Sequence, residues 1–226
     1  VAIARGSAWR YWDRGGDLGT GWRASSFDDA AWGSGAGPLG YGETYLHGIV
    51  GWGPSATSKY LTTYVRRGFV VDDPAAVTAL RGELMYDDGA VVYLNGTELG
   101  RVAMPAGAVT AATLSSGNEA NNLYGHEGGR ASMPAGPVRY ATLASGHEAG
   151  RRYVTFDISG QIANLHAGAD NQLAVEVHQA GGTSSDLVFD LALRLDTSAP
   201  PPPPPPPPLS VGGVPRGAPW TYWDDG

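Results

Sequence analysis

The sequence predicts an all-β protein in which two antiparallel sheets pack face to face as a β-sandwich or jelly roll. Three observations predict this class. Large apolar residues recur at every second position over short segments, turn-forming residues separate those segments, and helical periodicity is nearly absent. Because the chain has 226 residues and 42% of them are hydrophobic, it can bury one substantial core.

The first predicted strands cover residues 62–71, 78–86 and 90–94. Aspartate, proline, asparagine and glycine, which favour turns, follow each of them. These turn segments are Asp72-Asp73-Pro74, Asp87-Asp88-Gly89 and Asn95-Gly96.

The later strands are predicted at 153–158, around 173–177 and over 187–195. In the last of these, five large apolar side chains from Leu187 to Leu195 share one face. Helix is expected to be scarce. Only residues 159–165 have a pattern typical of a short helical turn, and Gly160 argues against it.

The last residues of the chain resemble its beginning. Residues 216–226 repeat residues 5–15 at a constant offset of 211, with identical Arg, Gly, Trp, Tyr, Trp, Asp and Gly. Self-similarity at a long fixed period is typical of tandem arrays. We therefore predict a β-sandwich module over residues 1–196, a linker over 197–211 and the start of a next tandem copy over 212–226.

An unbroken run of prolines at residues 200–208 forms the centre of the linker. Polyproline favours an extended left-handed helix that rises ~3.1 Å per residue, so the run predicts a stiff spacer of roughly 28 Å. The alternative is a ligand for proline-recognising domains, but no flanking charges define such a motif.

A second repetition lies inside the module. Residues 100–107 recur 29 residues later as 129–136, and the similarity continues as far as residue 149. The repeated unit is too short to be a domain, so we predict a duplicated insertion around residues 100–150 at one edge of the sandwich. It is either a neutral insertion or an added contact surface.

Charge and composition exclude several classes of function. The net charge of -7 disfavours nucleic acid as a partner, because phosphate binding needs a basic stripe and the arginines are scattered. The absence of cysteine removes disulfides, thiolate chemistry and cysteine-ligated zinc. No apolar run approaches the length that crosses a membrane.

Several short motifs follow one another in a fixed order. They are RG at 5–6, WRYWD at 9–13, GW at 21–22, FDD at 27–29, GPLGYG at 37–42, TTYVRR at 62–67, DDGAVVYLNG at 87–96, NQLAVEVHQ at 171–179 and SSDL at 184–187. In this order the chain resembles the galactose-binding-like jelly-roll modules of large secreted bacterial proteins. The resemblance implies a noncatalytic module at an extracellular or cell-surface location, but it does not identify a ligand.

Catalytic motifs are missing from the sequence. It has neither a Gly-x-Ser-x-Gly elbow nor a His-Glu-x-x-His helix, so we predict that the chain is not an enzyme and needs no cofactor. The pairs Asp28-Asp29, Asp72-Asp73 and Asp87-Asp88 would suit calcium, which takes oxygen ligands, but aspartate at such positions also caps turns. Calcium is left open, and no metal site is predicted.

Glu176 and His178 are the most suggestive polar pair. They share a strand face opposite Leu173 and Val175, so they point away from the core or across a concave sheet. Beside an aromatic platform they would bind a sugar, whose hydroxyl groups need hydrogen-bond donors and acceptors. The alternative, which we favour, is that they contact and order the loop of residues 183–186.

Aromatic residues provide two further candidate surfaces. Five lie near the N-terminus: Trp9, Tyr11, Trp12, Trp22 and Trp32. They form either an exposed platform or one end of the core, and their spacing with glycine favours the core. In the next copy, Trp220, Tyr222 and Trp223 are candidate contacts between repeats.

These observations support three functional hypotheses. The first is a noncatalytic structural repeat of a secreted or cell-surface protein, whose modules assemble into a fibre or filament with copies of themselves. The alternative is a carbohydrate-binding accessory module that binds extracellular polysaccharide with avidity. The third is a fragment of an extracellular hydrolase. The overlap at 216–226 favours the first two, and the scarcity of lysine to protect strand edges favours the filament.

Overall fold

The computed structural model describes residues 1–116, 153–198, 219 and 221–226. The second copy of the duplicated segment, the proline run and Trp220 lie outside these residues. The described strands are β1 Ala8–Trp12, β2 Gly33–Ala36, β3 Leu39–Tyr41, β4 Gly48–Ile49, β5 Thr62–Val71, β6 Val77–Asp87, β7 Gly89–Leu94, β8 Thr97–Val102, β9 Val154–Asp157, β10 Gly168–His178 and β11 Leu187–Thr197.

The strands form two sheets. The six-stranded sheet has the order β2-β1-β5-β10-β7-β8, and the five-stranded sheet has the order β4-β3-β11-β6-β9. Among the described strand pairs, only β3 and β4 run parallel. The antiparallel two-sheet β-sandwich predicted from the sequence is confirmed.

The core lies between the two sheets because each sheet turns one apolar face inward. Leu187, Phe189 and Leu191 of β11 are buried there with Leu173 and Val175 of β10. The alternation read from the sequence therefore identifies the inward faces of both strands correctly.

Several elements have weaker sequence signals. The first four strands and β8 lack a predicted counterpart. The described residues also include short 3₁₀ helices at Gly21–Arg23, Pro74–Ala76 and Ser159–Asn164. The last of these forms despite Gly160, so the expectation drawn from that glycine is wrong. Contacts with β6 hold its start: the Ile158 N–H donates to the Leu80 carbonyl at 2.8 Å, and the Leu80 N–H donates to Ser159 Oγ at 3.0 Å.

Trp9 anchors strand β1 in the core. Its side chain is 1% exposed, and its ring meets the Phe189 ring edge to face at 4.9 Å between centroids. One residue of β1 therefore contacts the central strand of the opposite sheet.

We expect Trp9→Ala to lower the free energy of unfolding by about 3–5 kcal/mol, because it leaves a large cavity between the sheets. Chemical denaturation followed by circular dichroism measures the loss. Trp223→Ala is the matched control, because Trp223 is 90% exposed, and it should change stability by less than about 0.5 kcal/mol. Equal effects of the two substitutions would contradict this placement of Trp9.

Candidate functional site

The structure places Glu176 and His178 on the face of the six-stranded sheet that points away from the core. Both are nevertheless buried, at 1% and 0% exposed. Residues 13–32 and 103–115, which we call the covering layer, pack over this face. Its buried apolar members, with the sheet residues they contact, are Trp22, Trp32, Tyr64, Val91, Tyr93, Met104 and Ala174.

Both oxygens of the Glu176 carboxylate have partners. The Tyr93 hydroxyl donates to Oε1 at 2.5 Å, and Arg23 of the covering layer donates to the same oxygen at 3.2 Å. His178 Nε2 lies 3.4 Å from Oε2, an ion-pair distance. The Arg23 guanidinium also stacks 4.1 Å from the centre of the Tyr93 ring. Glu176 therefore joins the sheet to the loop above it.

His178 contacts both the covering layer and Glu176. Its Nδ1 is 2.8 Å from the Thr113 carbonyl oxygen, which only accepts, so Nδ1 carries a proton. Nε2 faces the Glu176 carboxylate, 3.4 Å from Oε2. His178 therefore lies between Glu176 and the Thr113 carbonyl of the covering layer.

The charges around Glu176 decide its ionisation. Burial is the largest single influence, and it raises the pKa of this carboxyl group. The hydrogen bonds of His178 and Tyr93 and the electrostatic attraction of His178 and Arg23 lower the pKa, and together they outweigh burial. The net pKa lies below its ordinary value of 4.5. The pKa of Tyr93 is raised by burial and by the adjacent Glu176 charge, so the phenol stays protonated and donates.

Arg66 makes a second charged link between the sheet and the covering layer. It is buried, and it donates to Asp29 Oδ2 at 2.7 Å and to the carbonyl oxygens of Ala24 and Phe27 at 2.7 and 3.1 Å. Its guanidinium also lies 5.0 Å from the centre of the Phe27 ring. The sequence alone does not reveal this contact, although an arginine within a predicted strand is its signal.

The loop of residues 183–186 is held by other residues than Glu176 and His178. Asp88 Oδ2 accepts from the Ala180 N–H at 2.7 Å and from the Ser184 hydroxyl at 3.2 Å. The Gln179 side-chain amide donates to the Asp186 carbonyl at 3.0 Å, and Lys59 donates to the Ser184 carbonyl. The alternative role that we favoured for Glu176 and His178 therefore belongs to these three side chains.

The other sequence candidates also have internal contacts. Asp28 accepts from the Ala30 N–H at 2.9 Å, and Asp73 accepts from the Ala75 N–H at 2.9 Å, so both stabilise turns. The five N-terminal aromatic residues do not share one exposed platform: Trp9, Trp22 and Trp32 are buried, and Tyr11 and Trp12 are partly buried. Tyr222 is 86% exposed.

The described residues contain neither a group of side chains suited to a metal ion nor a helix suited to crossing a membrane. In residues 1–116 and 153–198, no three histidine, aspartate or glutamate side chains group closely enough to hold a metal ion. No helix in the described part of the chain has the length and apolar character needed to cross a membrane.

No protein-family model matches the chain, and no curated protein matches it. Among solved structures, a Bacteroides uniformis beta-glucuronidase is similar at 15% identity and a TM-score of 0.43, over 84% of this chain and 17% of that one. A glycosyl hydrolase family 2 member from Bacteroides cellulosilyticus is similar at 13% identity and a TM-score of 0.44, over 87% and 21%. The chain spans about a fifth of the length of these enzymes.

We expect Glu176→Gln to lower the free energy of unfolding by about 3 kcal/mol at neutral pH, because it leaves the largely buried Arg23 without its counter-charge. Glu43→Gln, on the loop after β3, is the control and should have little effect.

The same variant should alter the response to acid. Folding lowers the pKa of the Glu176 carboxyl group from its ordinary value of 4.5. Its full contribution to stability is therefore present at a pH above 4.5, and it is lost as the pH falls through the lower pKa of the folded state. Urea unfolding measured between pH 7 and pH 2 should therefore show a steeper acid loss for the wild type than for Glu176→Gln. Parallel curves would contradict the role assigned to this carboxylate.

Proposed function

We propose that this chain is a noncatalytic β-sandwich module that is repeated in tandem along a secreted or cell-surface protein. One observation carries the proposal: the positions that are identical between residues 5–15 and 216–226 have structural roles in the first copy. These positions are Arg5, Gly6, Trp9, Tyr11, Trp12, Asp13 and Gly15.

Three of the identical positions fasten β1 to the five-stranded sheet. Trp9 fills the core, and the Gly6 N–H donates to the buried carboxylate of Asp190 at 2.8 Å. Arg5 Nε donates to Glu83 at 2.6 Å. Tyr11, a fourth, packs against the edge of the core.

The remaining identical positions shape the turn that follows β1. The Trp12 indole N–H donates to the Gly15 carbonyl at 2.8 Å, and Asp13 accepts from the Gly51 N–H at 2.5 Å. Gly15 has a φ of +68°, and a Cβ atom there would lie 2.6 Å from the Tyr60 ring. Only glycine fits this position without displacing its neighbour.

The positions that differ between the two segments contribute less to the packing of the first copy. Ala8, Arg10 and Arg14 are exposed, and Ser7 is partly buried. The second segment thus keeps the residues that the fold needs and varies those at the surface. The first strand of a second copy would need this same pattern of kept and varied positions, which supports the tandem proposal.

This correspondence gives the aromatic residues at the end of the chain a different role. Trp220 takes the place of Trp9, and Tyr222 and Trp223 take the places of Tyr11 and Trp12. In a complete next copy, Trp220 is then a core residue. We therefore assign these three residues to strand β1 of that copy in preference to a contact between repeats.

The charged side chains buried in the module support a structural role. Glu176 and Arg66 fasten the covering layer, and Asp190 accepts from the Gly6 N–H and from the Tyr153 hydroxyl at 2.8 and 2.5 Å. The noncatalytic role and the galactose-binding-like family stay parts of the proposal. Carbohydrate binding, with extracellular polysaccharide as partner, also stays a prediction, but a sugar would reach Glu176 and His178 only if the covering layer moved.

Filament formation is the most specific part of the proposal. The outermost described strands are short, with 4 residues in β2, 6 in β8, 2 in β4 and 4 in β9, and short edges disfavour strand addition. Contacts between arrays would therefore run through exposed apolar side chains. Ile49, which is 65% exposed, ends strand β4, and Trp52, which is 38% exposed, lies in the loop that follows it.

In a protein with two complete consecutive copies, we expect Trp220→Ala to destabilise the second copy by about 3–5 kcal/mol. In a denaturant titration followed by fluorescence, about half of the signal change should then occur at a lower denaturant concentration, because only the second copy is destabilised. Thr221→Arg is the control, because the first copy has an exposed Arg10 there. If Trp220→Ala leaves the curve unchanged, the second segment does not form β1 of a second copy.

We expect purified arrays to form filaments in electron micrographs, and the double substitution of Ile49→Asp with Trp52→Ser to disperse them. Both side chains are exposed, so the folded modules should remain intact, as circular dichroism would show. Separate, non-interacting modules in the unsubstituted array would rule out assembly into filaments.

A further inference from the structure

The first and last residues of the module lie beside each other. The Ala2 and Ile3 N–H groups lie 2.9 and 3.1 Å from the Leu193 carbonyl oxygen, and the Leu193 N–H donates to the Ile3 carbonyl at 2.8 Å. The bridge between Ile3 and Leu193 is antiparallel. Chain that precedes Val1 and chain that follows β11 therefore leave the sandwich in the same direction.

A second contact places both connections at one end of the sandwich. The Ser198 N–H donates to the Ala76 carbonyl at 2.8 Å, in the segment that joins β5 to β6. Val1 and Ser198 also line a single groove of about 910 Å³ together with Val71 and Val77. We call this the tether end.

The opposite end of the sandwich is formed by other loops. There β5 begins at Thr62, β6 ends at Asp87, β10 ends at His178 and β11 begins at Leu187. Residues 42–47, 50–61 and 179–186 connect strands at this far end, and residues 103–116, which follow β8, lie there as well. The strand β11 separates the two ends by 11 residues, which corresponds to roughly 36 Å.

We infer that successive modules are attached to the linker side by side at their tether ends, rather than strung end to end like beads. This inference rests on the tandem repetition proposed above. Each module then adds only the spacing of neighbouring strands, about 5 Å, to the path of the chain. The nine-proline spacer, predicted to span roughly 28 Å, sets the distance between modules.

This arrangement decides which surface a partner can reach. The tether end faces the linker and the neighbouring connections, whereas the far end of every copy points away from them. Loops at the far end, including the exposed side chain of Trp52, are therefore displayed repeatedly along the array. A partner that contacts several copies does so through these loops and gains avidity from the repetition.

Distances between spin labels test the arrangement directly. The chain has no cysteine, so introduced cysteines are labelled without competition. In the full chain of 226 residues, Val1→Cys with Ser198→Cys should give a short distance of under about 20 Å, whereas Val1→Cys with Ala56→Cys should give a distance longer by roughly the length of β11.

The decisive measurement uses a protein with two complete copies, labelled at Ser198 and at the equivalent position of the second copy. Side-by-side attachment predicts a distance set by the spacer alone, which is shorter by roughly 36 Å than an end-to-end arrangement gives. Inserting three further prolines should lengthen it by about 9 Å.

An internal pair of labels within the second copy separates the two proposals. If the second copy lacks the internal distances of the first, the tandem proposal fails. If both copies show the same internal distances but the distance between copies includes the additional length of a module, only the side-by-side arrangement fails. Equal internal distances together with the spacer distance support both.

Discussion

The charged side chains on the outer face of the six-stranded sheet are buried, so they need partners of opposite charge within the protein. The rest of this structure depends on those ion pairs. An uncompensated buried charge costs several kcal/mol, so Glu176 and Arg66 need partners. Arg23 and Asp29 supply them from residues 13–32, and the Thr113 carbonyl accepts from His178. The ion pairs thereby fix where a long stretch without regular strands lies on the sheet.

The sequence predicts the fold better than it predicts these contacts. Residues 173–177 and 187–195 alternate so regularly that their inward faces follow from hydrophobicity alone, and Asn95-Gly96 makes the two-residue turn between β7 and β8, with φ of 50° and 86°. Strand β2 was missed because its sequence, GSGA, contains no large apolar side chain. Pairing with β1 defines it, and pairing is not a local property.

The burial of Glu176 and His178 could not be predicted for a related reason. Alternation shows that they face away from the core, but it cannot show that another segment covers that face. The cover comes from residues far away in the chain: Arg23 is separated from Glu176 by 153 positions. Likewise, the sequence shows Arg66 only as one charge within a predicted strand, and its partner Asp29 belongs to a pair that is equally typical of a turn.

The bridge between Ile3 and Leu193 also determines how the module responds to tension. A force that pulls the two connections apart acts across this bridge and breaks its hydrogen bonds one after another, instead of shearing a full ladder of them at once. Peeling of this kind needs little load, and each residue that is released adds roughly 3.5 Å of slack. In the tandem array proposed above, strain would therefore lengthen the protein by opening single copies one after another.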